Sequence, residues 1–210
     1  MATAKTIGII IFDEVLTSEV IAPAEVFGAA SHQDWFAGSK VLLIGVEQKE
    51  RIVSAEGIRI GVHCTIYDDV SLDVLIVPGA MDMDVLFSNE KLNDFIRTHE
   101  AQADWVGSNC SGAFLLANSG VLDGKKATTW FGGEESLQAQ YPQIDVIHDQ
   151  PVVLDNRRVT SNGGLVSYQA AIVLLAQLTN LDHAKEIYDT LTMGRMDDWD
   201  TIAESVKVSA

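Results

Sequence analysis

Cysteine is nearly missing: Cys64 and Cys110 are the only two among 210 residues. A disulfide framework is therefore excluded, at most one bridge could form, and reduced thiols are the expected state. Basic residues are also scarce, 14 against 30 acidic ones, giving a formal net charge of −16 and an isoelectric point near 4.5. With no cluster of lysine and arginine to displace counterions from a polyanion, nucleic acid is not an expected partner. No apolar run approaches the roughly 20 residues that span a bilayer. The opening "MATAKTIGIIIFDEV" also lacks a charged segment followed by a long apolar stretch and a cleavage site. The expectation is a cytoplasmic protein without a membrane partner. There is no glycine-rich phosphate loop and no set of His, Cys and Asp at metal-ligand spacing, so neither a cofactor nor a metal is expected.

What is present suits a well-buried globular chain: 47% hydrophobic residues, 21% charged residues and a mean hydropathy of +0.14. The length fits one substantial core, and no repeat, linker or shift in composition marks a second one. The chain is read as a single domain, 1–210, with a core over about 5–178 and a C-terminal helical extension over 179–210.

Strand and helix signals alternate. "TIGIIIF" (6–12) is a β-branched run of buried-strand type, "APAEVFGAA" (22–30) has helical spacing, and "KVLLIGV" (40–46) returns to strand. "IRIGVH" reads as a further strand and "DVLIVPG" (73–79) as a central one closed by Pro-Gly. "SNEKLNDFIRTHEAQ" (88–102) is a surface helix with Ser88 as its cap candidate and Leu92, Phe95 and Ile96 on one face. "PVVLDNRRVTSNGG" (151–164) predicts a hairpin around Asp155-Asn156, "LVSYQAAIVLLAQLT" (165–179) an apolar helix, and "DHAKEIYDTLTM" one more helix. Strands apolar on both sides, alternating with helices, imply an α/β fold with a mainly parallel sheet covered on both faces. Ligands in such folds bind beyond the carboxyl ends of the strands.

One of the two cysteines occupies such an end. In "ADWVGSNCSGAFLLANSG" (103–120) a strand stops at Cys110 and a short helix follows, with Gly107, Ser108, Ser111, Gly112 and Ala113 keeping the turn open in the manner of a nucleophile elbow. A thiol at a helix N-terminus is expected to have a lowered pKa, and the N–H groups there can stabilise an oxyanion. The plain alternative is a small buried filler, the commonest role of free cysteine. Cys64, in "GVHCTIYDDV", lacks such surroundings and reads as structural.

A nucleophile needs a proton partner. The loop after the first strand carries Asp13, Glu14, Glu19 and Glu25. Glu19 stands just before Pro23, which is expected in the first turn of the next helix, so Glu19 is placed to face the crevice. Beside a thiolate it would keep its proton, because adjacent anions repel. Glu25 reads as a first-turn acid complementing the helix N-terminus. Asp82 and Asp84 in "GAMDMD" read as solvated loop acids.

The segments "SEVIAPAEVF", "DVLIVPGA" and "VGSNCSGAFLLANSGVLDGKKATTW" together resemble the ThiJ/PfpI superfamily over about residues 5–178, and the nearest likeness is to its isonitrile (isocyanide) hydratase branch. The related domain of certain transcriptional regulators shares the "CSGAFLLA" text, but a helix-turn-helix half is not found here. The resemblance implies a flavodoxin-like three-layer sandwich with a cysteine nucleophile elbow, usually a homodimer. By position it makes Cys110 the nucleophile, Glu19 its acid and Ser111 the following hydroxyl. Gly79, with Ala80 after it, and Gly112 would lie at the oxyanion and pocket side. Two departures stand out. The hydratase branch commonly has aspartate where Glu19 stands, and "ATTWFGG" has Trp130 where the superfamily often places histidine.

The function implied is a cysteine-dependent hydratase or hydrolase acting on a small electrophile, most simply an isocyanide hydrated to an N-formyl amide. Trp130, Thr128, Thr129 and the "TSNGG" loop (160–164) are pocket candidates. Two other readings use the same cysteine: a redox-sensing or stress-protective protein, and a cofactor-free glyoxalase-like enzyme. None of His32, His63, His99, His148 and His183 sits in a segment that obviously converges on the elbow, with His32 the one to be watched.

Overall fold

The run Thr6–Ile11 is the first strand, β1, buried from Ile7 onward in the computed structural model, which describes residues 4–196. The elements then follow as α1 (Thr17–Ser31), β2 (Lys40–Gly45), β3 (Arg51–Val53), β4 (Arg59–Gly61), β5 (Cys64–Thr65), β6 (Val74–Val77), α2 (Asp84–Phe87), α3 (Glu90–Gln102) and β7 (Trp105–Asn109). Next come α4 (Gly112–Asn118), β8 (Lys126–Ala127), α5 (Glu134–Gln140), β9 (Asp145–Val146), β10 (Val152–Asp155), β11 (Arg158–Ser161), α6 (Val166–Leu178) and α7 (Leu181–Thr190).

Seven strands form the main sheet in the order β10-β11-β7-β6-β1-β2-β5. Every pairing is parallel except the β10-β11 hairpin at one edge. The helices α1, α6 and α7 pack together as one group and α2, α3 and α4 as another, so the sheet is covered on both faces. The fold class read from the sequence is what the structure shows. Four-residue β6 is buried throughout, which is why it is apolar without alternation.

The chain leaves β1 toward β2 on one side and returns to β6 on the other. This reversal opens a crevice at the carboxyl ends of β1 and β6. The segments after β1, β6 and β7 carry Glu19, Gly79 and Cys110 respectively.

Three local expectations are corrected. Asn89, not Ser88, caps α3: its side chain accepts a hydrogen bond from the Leu92 N–H at 3.1 Å. Leu92, Phe95 and Ile96 do face the core. "IRIGVH" contributes only β4, which pairs antiparallel with β3 outside the main sheet. The helix expected to start near Pro23 begins six residues earlier, at Thr17, so Pro23 lies inside α1 and Glu19, not Glu25, belongs to its first turn. Glu25 instead accepts a 2.6 Å hydrogen bond from the Tyr168 hydroxyl of α6. Among the described residues no helix is long and apolar enough to cross a membrane. The acidic stretch from Asp197 onward lies outside the described residues.

Candidate active site

Cys110 follows β7 directly and has φ +52, a left-handed conformation that costs a non-glycine residue on the order of 1–2 kcal/mol. Both of its backbone groups are held there: its N–H donates to Ser161 O at 2.9 Å, and its carbonyl accepts from Thr129 Oγ1 at 2.9 Å.

Glycines surround the turn because nothing larger fits. A Cβ on Gly112 would stand 2.1 Å from the Val77 carbonyl oxygen, and one on Gly79 would stand 2.6 Å from Ser111 Oγ. At Gly163, φ is +80 and a Cβ would meet both Cys110 Cβ and Glu19 Oε1 at 2.5 Å. The thiol-bearing residue and the carboxylate thus meet across the bare α-carbon of Gly163.

Glu19 is almost fully buried, at 1% exposure. Its Oε1 accepts from the Gly164 N–H at 2.7 Å, and its Oε2 lies 3.5 Å from the Ser167 hydroxyl. Burial dominates these hydrogen bonds and pushes the carboxyl up to about 7. Cys110 is half-buried. Burial raises its thiol to about 11, and the nearby Glu19 charge adds to the rise. This overturns the expectation of a lowered thiol pKa. The Ser111 N–H does favour the thiolate, but α4 has only seven residues and desolvation outweighs its N-terminus. With one proton between them, thiol with carboxylate and thiolate with carboxylic acid are two forms of a single charge state.

Ser111 holds the loop after β6 against the elbow. Its hydroxyl donates to the Ala80 carbonyl at 2.8 Å and accepts from the Ala80 N–H at 3.0 Å. Ala80 is therefore not a free oxyanion donor, whereas the Gly79 N–H has no acceptor among the described residues. A Cβ on Gly79 would stand 3.0 Å from Cys110 Cβ, so this glycine lies against the elbow.

Over Cys110 opens a cavity of about 640 Å³, bounded by Leu16, Met83, Phe87, Phe114 and Trp130, with Asp82 and Asp84 also on its wall. Trp130 stacks on Phe114 with ring centroids 5.0 Å apart. Thr128 and Thr129 are fully buried and brace the turn rather than line the cavity. The two loop acids, read as merely solvated, are exposed but stand at the mouth.

None of the histidines lines this cavity. His32 ends α1 at the opposite end from Glu19, and His99 is buried between the Phe95 and Val70 carbonyls. His183 stacks on Trp35. Cys64 is a free thiol on β5, packed against the core. Among the described residues no group of three or more His, Cys, Asp or Glu could hold a metal ion.

Sequence reasoning missed Asn109 and Ser167, and it took the loop 160–164 only as pocket lining, whereas Ser161, Gly163 and Gly164 hold the Cys110 and Glu19 groups in place. Asn109 Nδ2 donates to the Glu19 carbonyl at 3.2 Å, and its Oδ1 accepts from Ser161 Oγ at 2.7 Å. The signal for that loop's tight geometry was the Gly163-Gly164 pair, separated from the end of β11 by one residue, since paired glycines permit an unusual backbone.

Similarity to known proteins follows the same outline. Isonitrile hydratase of Pseudomonas putida is 29% identical over 183 residues, covering 87% of this chain and 75% of that protein. Protein dj-1beta of Drosophila melanogaster is 24% identical over 154 residues, covering 72% and 81%. The crystal structure of a ThiJ/PfpI family protein from Pseudomonas syringae superposes with a TM-score of 0.83 at 22% identity, over 94% of this chain and 78% of that one. The DJ-1/PfpI family model matches residues 5–176, and the chain belongs to that family.

Proposed function

We propose that the protein is a cysteine-dependent hydratase converting isocyanides to N-formyl amides. The observation that carries this reading is the meeting of Cys110 and Glu19 across Gly163, beneath a cavity walled largely by apolar side chains and with no histidine in its lining. The similarity to a relative named isonitrile hydratase supports it.

The pair starts with one proton. Glu19 carboxylate takes the proton of the Cys110 thiol as sulfur adds to the terminal isocyanide carbon, and returns it to that carbon, giving a thioimidate. Water then adds to the thioimidate carbon and a water proton reaches nitrogen. The carbon–sulfur bond breaks, sulfur recovers a proton through Glu19, and the N-formyl amide leaves. The sum is isocyanide plus water giving formamide, with no oxidant or cofactor. In this reading the Gly79 and Ser111 N–H groups stabilise negative charge developing at the reacting centre.

Leu16, Met83, Phe87, Phe114 and Trp130 favour an apolar substituent on the isocyanide nitrogen, and an anionic one would lose water and face Asp82 and Asp84 without gaining a partner. A glyoxalase-like reading needs a base beyond Glu19, and no histidine near the thiol offers one. Redox sensing would use the same Cys110 sulfur and is separated from hydration by turnover and by oxidation with peroxide. The family resemblance further suggests a homodimer, checked by sedimentation equilibrium.

The deciding experiment incubates wild type and Cys110→Ala with phenyl isocyanide and with methylglyoxal and identifies products by mass spectrometry. N-formyl aniline that disappears in the variant is the expected result. No turnover of the isocyanide, with peroxide oxidation confined to Cys110, would replace this reading by redox sensing.

A further inference from the structure

Pro23 sits inside α1 and has no N–H to give. In a regular helix that N–H would bond the carbonyl four residues earlier, and here that residue is Glu19. A buried carbonyl left without a donor is destabilising by roughly 1–3 kcal/mol, so another group must reach it. Asn109 does, donating from Nδ2 at 3.2 Å. The orientation of this amide is settled by its surroundings: a carbonyl can only accept, and Ser161 Oγ occupies the other side, donating to Oδ1 at 2.7 Å.

Asn109 is the residue immediately before Cys110. Ser161, in turn, carries the carbonyl that holds the Cys110 N–H at 2.9 Å, and its hydroxyl accepts from the Gly163 N–H at 3.3 Å. The backbone of Glu19 is thereby tied through one side chain to the nucleophile's own strand and to the loop separating the two reactive groups. Asn109 and Ser161 are both buried, so the connection is made away from bulk water.

We infer that Asn109 is a positioning residue, and that the gap left by Pro23 in α1 exists to let it fix the Glu19 carboxyl against Cys110. The inference rests on the reading of Cys110 and Glu19 as the reactive pair. Without the tether, the first turn of α1 is free to close on itself or turn outward, and the carboxyl gains water. Asn109 touches neither substrate nor the reacting atoms; its effect is transmitted through the Glu19 backbone.

The test measures the rate of Cys110 alkylation by iodoacetamide against pH, which needs no isocyanide chemistry. Wild type should show an inflection near 7 from Glu19, because alkylation follows the thiolate and the thiolate depends on the proton count of the pair. Glu19→Gln should abolish the inflection. If it does not, the reading of the reactive pair fails, independently of Asn109. Asn109→Leu should lower the inflection by about one pH unit, as the displaced carboxyl returns toward the ordinary carboxylate range. Adding Pro23→Ala, which restores an N–H to the Glu19 carbonyl, should recover most of that shift. A general packing defect at Asn109 would not be repaired by a change on α1. Should Asn109→Leu fail to fold, Ser161→Ala, which releases the amide to rotate, should give a smaller shift in the same direction. An inflection unmoved in a folded Asn109→Leu or Ser161→Ala protein, while Glu19→Gln removes it, overturns the proposal. So does failure of Pro23→Ala to restore it.

Discussion

Gly163 shows how narrowly the site is specified at the scale of single residues. Any side chain there collides with both Cys110 and Glu19 and must also adopt φ +80. Gly163→Ala should lower activity at least about a hundredfold and destabilise by roughly 1–3 kcal/mol, read by kcat/KM and by urea denaturation. Glu19 leaves a second mark. Its carboxyl is raised from 4.5 to about 7, so the folded state binds the proton more tightly than the unfolded chain. The stability this contributes is complete below about pH 4.5 and is lost as pH rises through 7. Wild type should lose on the order of 3 kcal/mol between pH 4.5 and 8 from this group, and Glu19→Gln should lack that slope in denaturation midpoints. That Cys110 and Glu19 would come to the same crevice was legible from residue type and position, and Gly79 was named by the family resemblance. The thiol's pKa direction was not, because burial is set by distant segments, and neither was Asn109, whose role depends on a proline 86 positions earlier in the chain.

At the scale of elements, the period of the sequence was a good guide wherever an element has two unlike faces. Helix α3 is the clearest case, with Leu92 and Ile96 fully buried and its charged residues outward, while its two buried polar residues, Asn93 and His99, are held by hydrogen bonds. Its start was misplaced by one residue because Ser88 and Asn89 are both good caps and only the backbone decides between them. Asn89→Ala should cost about 1 kcal/mol in thermal or chemical unfolding and leave turnover unchanged, since α3 lies away from the Cys110 turn. The start of α1 was misread for a different reason. Proline usually marks a first turn, and here it lies in the seventh position, where the lost bond is replaced from outside the helix. A sequence pattern describes local preference, whereas this exception is made by a tertiary contact.

At the scale of the molecule, strand order decides which loops meet. The sequence showed alternating strands and helices, hence a parallel sheet, but not that β6 would return beside β1 and bring Gly79 and Glu19 to the same crevice. The overall charge of −16 surrounds a cavity whose mouth carries Asp82 and Asp84. Such a field slows the approach of anions and is screened by salt. A carboxylate-bearing aryl isocyanide should therefore have a kcat/KM about tenfold below its neutral parent at low ionic strength. The gap should narrow as salt is added. Equal rates for the two compounds at all ionic strengths would show that the charge around the mouth does not act on substrate entry.

The most direct test of the account is the pH dependence of kcat/KM for isocyanide hydration by wild type and Glu19→Gln. If Cys110 and Glu19 work as a pair sharing one proton, the wild-type rate rises through about 7 and falls only as the thiol itself titrates near 11. In Glu19→Gln the limb near 7 disappears, with the rate reduced by about 100-fold or more. A wild-type rate flat through pH 7, or the same limb persisting in Glu19→Gln, would contradict the shared proton and detach Glu19 from the chemistry.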